Sequence, residues 1–313
     1  MTDDGVLVAG ETLVDMLPAG GAGTDGETFH RHAGGAPANV AVGLARLGDP
    51  PQFWTRLGGD RFGDFLATTL ADEGVSDTLV ERGSGTTALA FTEPGVEGRF
   101  RFYASGTETV ALDADRVPDG VLDSVGWVHV GGFLLGFPEA RRATVRLVER
   151  ARSRGCTVSF DPNVRPEVFA DGETMRAAID RLVARADVLK VSEEDLSLAG
   201  YDFPDPVSAL ADRGPHTVFR TRGADGASAL ATEDAPWGAG RFDHDGVPVD
   251  AVETTGAGDA FTAGAIAALR DGESLPDALG FAVAAGAAAT TAHGAMGALP
   301  THEVVESTRR DVA

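Results

Sequence analysis

Glu253-Thr254-Thr255-Gly256-Ala257-Gly258-Asp259-Ala260-Phe261 joins a turn of small residues to an apolar run with helical spacing over Ala257–Leu269. Small residues at that junction leave backbone N–H groups bare where a helix starts. A helix start concentrates unpaired donors and the positive end of the helix dipole, which suits a phosphate. Asp259 falls in the first turn, beside that anion site. A carboxylate there can accept the proton of a hydroxyl that attacks a phosphoryl group. A lone Gly-x-Gly-Asp would read as a glycine-rich helix start with an N-terminal charge, but the nine-residue string is far more specific.

Outward from this point, strand-like and helix-like segments alternate. Val6–Gly10 reads as a buried strand, and Pro37–Leu47 as a helix with Pro near its start and Gly48 past its end. Gln52–Leu57 and Arg61–Asp72 form the next strand and helix. The pattern repeats in Trp127–Val130 with Glu139–Arg152, in Cys156–Phe160 with Glu173–Ala184, and in Val188–Val191 with Glu193–Leu198. His216–Thr221 is a further strand, and two long helices, the one after Ala257 and Pro276–Thr291, close the pattern. Such alternation predicts an α/β fold, a mostly parallel sheet covered by helices on both faces. Two regions lack helices: Thr12–Pro18 with Glu27–His32, and Thr86–Thr92 with Gly98–Tyr103 around a Glu93-Pro94-Gly95 turn. They predict a small β lid, from about 12–33 and 86–104, on a single domain spanning 1–313.

The nine-residue string resembles the second signature of the ribokinase-like (pfkB-type) carbohydrate kinases. Gly34-Gly35-Ala36-Pro37-Ala38-Asn39-Val40-Ala41 resembles the first. The resemblance runs from Gly10-Glu11 to Leu299-Pro300. It implies an ATP-dependent sugar kinase with Asp259 as catalytic base and the N–H groups of Gly256, Ala257 and Gly258 as the anion hole. Gly34, Gly35 and Asn39 are implied as sugar contacts, and Asp15 as the lid-base carboxylate that binds sugar hydroxyls. Asp161-Pro162-Asn163-Val164-Arg165-Pro166 resembles the strand-end segment of fructokinases and ketodeoxygluconate kinases, so Asn163 and Arg165 face substrate or phosphates. Thr221-Arg222-Gly223-Ala224-Asp225-Gly226 resembles the nucleotide-binding turn, with Thr221, Gly223 and Gly226, beside Gly256 and Gly258, on the ATP.

The chain departs from the family in places. An Asn-x-x-Glu motif that helps place Mg²⁺ through water is here Ser192-Glu193-Glu194-Asp195. Either Glu194 or Asp195 can serve the metal. Glu253 stands for an Asp that often helps form a monovalent-cation site, which leaves a K⁺ site open. The substrate is expected to be fructose. The related ketodeoxygluconate kinases place an Arg after the second lid strand, where this chain has Phe102-Tyr103-Ala104, and Gly294-Ala295-Met296 replaces their Gly-Asp. 2-Keto-3-deoxygluconate is the alternative substrate, and a non-catalytic sugar- or nucleotide-binding regulator is the reading of a different class. Val8-Ala9-Gly10-Glu11 is not followed by the GxGxxG turn of a dinucleotide-binding enzyme.

Composition narrows the setting. Hydrophobic residues make up 43% of 313, enough for a sizeable core. No apolar run reaches the roughly 20 residues that span a bilayer. Met1-Thr2-Asp3-Asp4 does not resemble a signal peptide, and the single cysteine, Cys156, reads as a buried thiol, so a cytoplasmic location is expected. Asp plus Glu number 48 against 26 Lys plus Arg, a net charge of −22, and Lys190 is the only lysine. That balance excludes a basic face for nucleic acid. It suits a salt-rich, halophilic cytoplasm, because at molar salt the Debye length is about 3 Å and carboxylate repulsion is screened. An apolar outer lid face would invite a homodimer through the lids.

Overall fold

The first strand, β1 (Gly5–Ala9), is buried on both faces: Val6 and Val8 enter one apolar cluster, Leu7 and Ala9 the other. A computed structural model of the chain describes residues 5–18, 28–92 and 100–310. In chain order the next strands are β2 (Leu13–Pro18), β3 (Phe29–Gly34), β4 (Gln52–Leu57), β5 (Val80–Arg82), β6 (Leu89–Thr92) and β7 (Phe100–Tyr103). They are followed by β8 (Val125–Gly131), β9 (Thr157–Asp161), β10 (Val188–Ser192), β11 (Thr217–Thr221), β12 (Ala227–Ala231) and β13 (Gly240–His244). The helices are α1 (Ala36–Arg46), α2 (Arg61–Asp72), α3 (Asp119–Leu122), α4 (Pro138–Ser153) and α5 (Gly172–Val183). After them come α6 (Glu193–Leu198), α7 (Pro206–Ala211), α8 (Ala257–Arg270), α9 (Leu275–Ala289) and α10 (His302–Arg310).

Nine strands form one sheet in the order β13-β12-β11-β10-β9-β8-β1-β4-β5. The run from β11 to β5 is parallel, while β12 and β13 pair antiparallel at one edge. From β1 the chain steps to β4 and β5 on one side, then returns to β8, β9, β10 and β11 on the other. Strand order therefore reverses between β1 and β8, and the crevice beyond their carboxyl ends is where open α/β sheets bind ligands. Side chains of one parity on these strands pack with α4 and α5, and those of the other parity with α1, α8 and α9. Each fully buried Leu, Val or Phe stabilises the fold by about 1.5–3 kcal/mol.

The two helix-free regions form a separate four-stranded sheet, β3-β2-β6-β7. Asp15, His32, Ala90 and Phe102 are register partners and share one face. Phe102 meets Phe133 of the main body edge-on at 5.1 Å, so this face turns toward the larger sheet. The opposite face carries Phe29, Phe91 and Tyr103 in a row of edge-to-face contacts, with Tyr103 57% exposed. The Glu93-Pro94-Gly95 turn and the starts of the Glu27 and Gly98 strands lie outside the described residues.

Two readings need correcting. The chain does not close on two long helices: α10 follows them, and only its Val305 is buried, so it carries no apolar stripe to announce it. The β12–β13 edge was also not expected as part of the main sheet. β13 (Gly-Arg-Phe-Asp-His) alternates half-buried and exposed residues, but buries none of them fully, and one Phe among polar neighbours is too little apolar signal to announce it.

Candidate active site

Helices α2, α5, α6 and α9 start on side-chain caps: Asp60, Asp171, Ser192 and Ser274 each accept from a first-turn N–H. α8 starts on Gly256, left-handed at φ 86°, with no side-chain cap. The Ala257 N–H turns back to the Thr254 carbonyl at 3.2 Å. Among the described residues the N–H groups of Gly256 and Gly258 have no protein acceptor. Uncapped donors at a helix start form an anion hole.

Asp259 sits two residues into α8 and is 8% exposed. Its Oδ2 accepts a hydrogen bond from Asn39 Nδ2 at 2.7 Å, which joins α8 to α1. Burial pushes the Asp259 carboxyl up to about 6, and the Asp161 charge adds to this. Asn39, Lys190 and Arg165 pull the other way. Asp15, on β2, is pushed up to about 7, first by burial and then by the Asp259 charge. Gly34 admits it: a Cβ there would lie 2.0 Å from Asp15 Oδ2. Gly35 is the residue on which α1 starts.

Glu11, just past β1, is a further candidate site residue that sequence reasoning passed over. It is 3% exposed, and burial, with the Asp259 charge adding to it, raises its carboxyl to about 8 despite the N–H bonds of Glu11 itself and Ala36 and the Arg165 charge. Its Oε2 has no hydrogen-bond partner, and neither does Asn39 Oδ1. Buried polar atoms are rarely left so. Two unpartnered buried polar atoms near Asp259 call for a hydrogen-bonding ligand, and a polyol, whose hydroxyls both donate and accept, meets that demand. The only signal in the sequence was a glutamate directly after a buried strand.

Arg165 faces this group of carboxylates and is half-buried, with Nη1 donating to the Val164 carbonyl at 2.9 Å. Asn163 is the only non-glycine residue with positive φ, at 36°, among the described residues. Its N–H donates to Asp161 Oδ1 at 3.1 Å, which fixes the turn leaving β9. Strained backbone at a strand end marks functional positions.

The acidic segment after β10 divides. Asp195 is buried and spends its carboxylate within the fold: Oδ2 accepts from Ser192 N and Oγ at 2.8 and 2.7 Å, and Oδ1 from Val164 N at 2.7 Å. Glu193 pairs with Arg220, and Glu194 is exposed. Glu253 accepts from Gly294 N–H at 3.0 Å, and its Oε2 is 3.4 Å from His293 Nδ1. Burial pushes its carboxyl up, but the bonds from Gly294, Thr255 and His293 outweigh that and hold it below the usual range. Thr221, Gly223 and Gly226 form the turn from β11 to β12, two strands from Asp161. No direct bond joins that turn to Asp259 among the described residues. Ala104, where a sugar-acid kinase would carry its Arg, is 2% exposed and lies in the core.

The profile described as pfkB family carbohydrate kinase matches residues 4–302. The chain is 35% identical over 308 residues to a fructokinase of Salmonella typhimurium, covering 94% of this chain and 96% of that one. Its fold superimposes on a putative ribokinase II from E. coli in complex with ATP and Mg²⁺ with a TM-score of 0.88, at 28% identity and covering 98% and 99% of the two chains. A fructokinase double mutant from Vibrio cholerae O395, in its fructose-, ADP- and potassium-bound form, gives 0.84 at 31% identity, covering 97% and 98%.

Proposed function

The chain belongs to the pfkB family of carbohydrate kinases, and on that footing we propose that it phosphorylates fructose with ATP. The buried Asp259, raised toward neutrality and bonded to Asn39, carries this reading. Asp259 takes the proton of the attacking sugar hydroxyl, and a base poised near the working pH does so well. Asp15, Asn39, Gly34, Gly35 and Glu11 hold the sugar. The Gly256 and Gly258 N–H groups receive the transferring phosphoryl group, joined by Ala257 when its weak bond to Thr254 opens. Arg165 and Asn163 flank the phosphates, and the Thr221–Gly226 turn carries the nucleoside end.

Among the described residues no three His, Cys, Asp or Glu side chains group to cage a metal. This suits Mg²⁺ held mainly by nucleotide phosphates and water, as Mg²⁺ keeps several waters. When bound, Mg²⁺ neutralises phosphate charge. Glu194, free of the helix cap that engages Asp195, would be the carboxylate to help hold it. A K⁺ beside Glu253 would share that carboxylate with Gly294 and His293. The aromatic row Phe29–Phe91–Tyr103 suits a homodimer through the lids, which sedimentation at high salt would detect. None of the described helices is long and apolar enough to cross a membrane, and the acidic, lysine-poor chain suits a salt-rich cytoplasm. A panel of sugars with ATP and Mg²⁺ at high KCl, with NMR of the products and Asp259→Asn as control, tests the proposal. Transfer to a sugar acid in preference to fructose would refute it.

A further inference from the structure

Lysine occurs once in this chain, and the fold buries it. Lys190, on β10, is 8% exposed, with Nζ 3.0 Å from Asp161 Oδ2. A Cβ placed on Gly258 would lie 3.0 Å from that Nζ and 3.8 Å from Cε. The ammonium therefore presses against the underside of the anion hole. Asp161 is itself fixed, with Thr262 Oγ1 3.3 Å from the same Oδ2 and the Asn163 N–H on Oδ1. Thr262 Oγ1 also bonds the Gly258 carbonyl at 3.0 Å, which closes a ring through β9, β10 and α8.

Every other basic residue apart from histidine is arginine. An arginine is a planar fork with a longer reach, whereas an ammonium is a compact point charge.

We propose that Lys190 is a positioning residue of phosphotransfer: its ammonium, held by Asp161 beneath Gly258, supplies a fixed positive charge to the anion hole. The inference rests on the kinase reading above. Preorganised charge of this kind acts strongly in a dry site. Burial pushes the Lys190 ammonium down, but Asp161, Asp195 and Asp259 outweigh it and leave it raised, hence charged. Asp259 is faced by Asp161 from β9, Lys190 from β10, Arg165 beyond β9 and Asn39 from α1. Glu11 and Asp15 face it from the β1–β2 segment. His129 on β8 faces Lys190 and stays neutral, pushed down to about 3 by burial and then by that ammonium.

A purely structural counter-ion would predict something different. Lys190→Met strands a buried Asp161, so loss of activity alone could reflect misfolding. Lys190→Met/Asp161→Asn removes both charges, and Asp161→Asn alone is its reference. Losing a direct oxyanion donor costs about 10²–10³-fold in kcat. A field acting through Gly258 should count for less, so the double variant should fall about 10-fold or more below Asp161→Asn while its melting temperature matches. The acid limb of the pH–rate profile should also move to higher pH than in Asp161→Asn. Equal kcat and an unmoved acid limb would overturn the proposal. A second readout needs no turnover. Chain labelled with ¹³Cε-lysine gives one lysine signal, which should shift on saturation with ATP and Mg²⁺, saturation being followed by calorimetry. An unmoved signal would also overturn it. A shifted signal with no transfer to any sugar would sink the kinase reading and leave the Lys190 placement standing. No ATP binding at all would sink both.

Discussion

Asn39 Nδ2 donates to Asp259 Oδ2 at 2.7 Å across 220 residues of chain, so the candidate sugar-binding amide and the candidate base are one bonded unit. Asp259→Asn keeps the shape and removes the base. General-base catalysis contributes about 10²–10⁴-fold, so kcat should fall by that order while the calorimetric affinity for ATP stays close to wild type. Near-normal kcat would remove Asp259 from the role.

The same bond predicts a pH dependence. Asp259 must be unprotonated to act, and its carboxyl titrates near 6. Activity should therefore rise with pH through about 6. Asn39 stabilises the charged form, so Asn39→Ala should move this limb to higher pH and raise KM for the sugar more than it lowers kcat. Full pH–rate profiles of both proteins at constant KCl check this.

Stability should show the opposite trend. Glu11, Asp15 and Asp259 titrate near 8, 7 and 6 in the fold, against ordinary values of 4.5 for Glu and 3.8 for Asp. Between those limits the folded chain binds more protons than the unfolded one, so stability falls as pH rises. The melting temperature of the free protein should decline from pH 5 to 8.5 at fixed salt. Glu11→Gln should flatten the upper part of that decline, and a flat wild-type curve would contradict the argument.

Salt should matter independently of any bound ion. With a net charge of −22, carboxylate repulsion is relieved by screening. Melting temperature and activity should climb from dilute buffer to molar KCl. A further difference between KCl and an equal ionic strength of a larger cation would report on Glu253. Full stability in dilute buffer would refute the expectation.

Fructose should have a higher kcat/KM than 2-keto-3-deoxygluconate, since the buried Ala104 offers a carboxylate no cation. An uncompensated charge pair costs about 2–5 kcal/mol. Steady-state kinetics on both substrates decides the order.

Much of this was legible in the sequence, for identifiable reasons. Gln52–Leu57, Arg61–Asp72 and Glu193–Leu198 fall where expected, because apolar periodicity and caps such as Asp60 mark them. The α8 start was legible because small residues in series have few other uses. The Ser192–Asp195 capping box was less so: the same acidic residues suit a metal, and only the bonds from Ser192 and Val164 to Asp195 reveal a structural role. Glu11 and Lys190 lie beyond any local pattern. Their settings come from Asp259, Asp161 and Gly258, all far away in sequence.

The position of β1 between β4 and β8 has a consequence for synthesis. β1 is made before both of its sheet partners, and Asn39 waits for an aspartate more than two hundred codons downstream. Pairings of such long range are slow to form and leave apolar edges open meanwhile. A stalled or truncated product that ends before α8 would hold every strand of both sheets yet have no base and no anion hole. The nascent protein therefore acquires its chemistry only once α8 has been made.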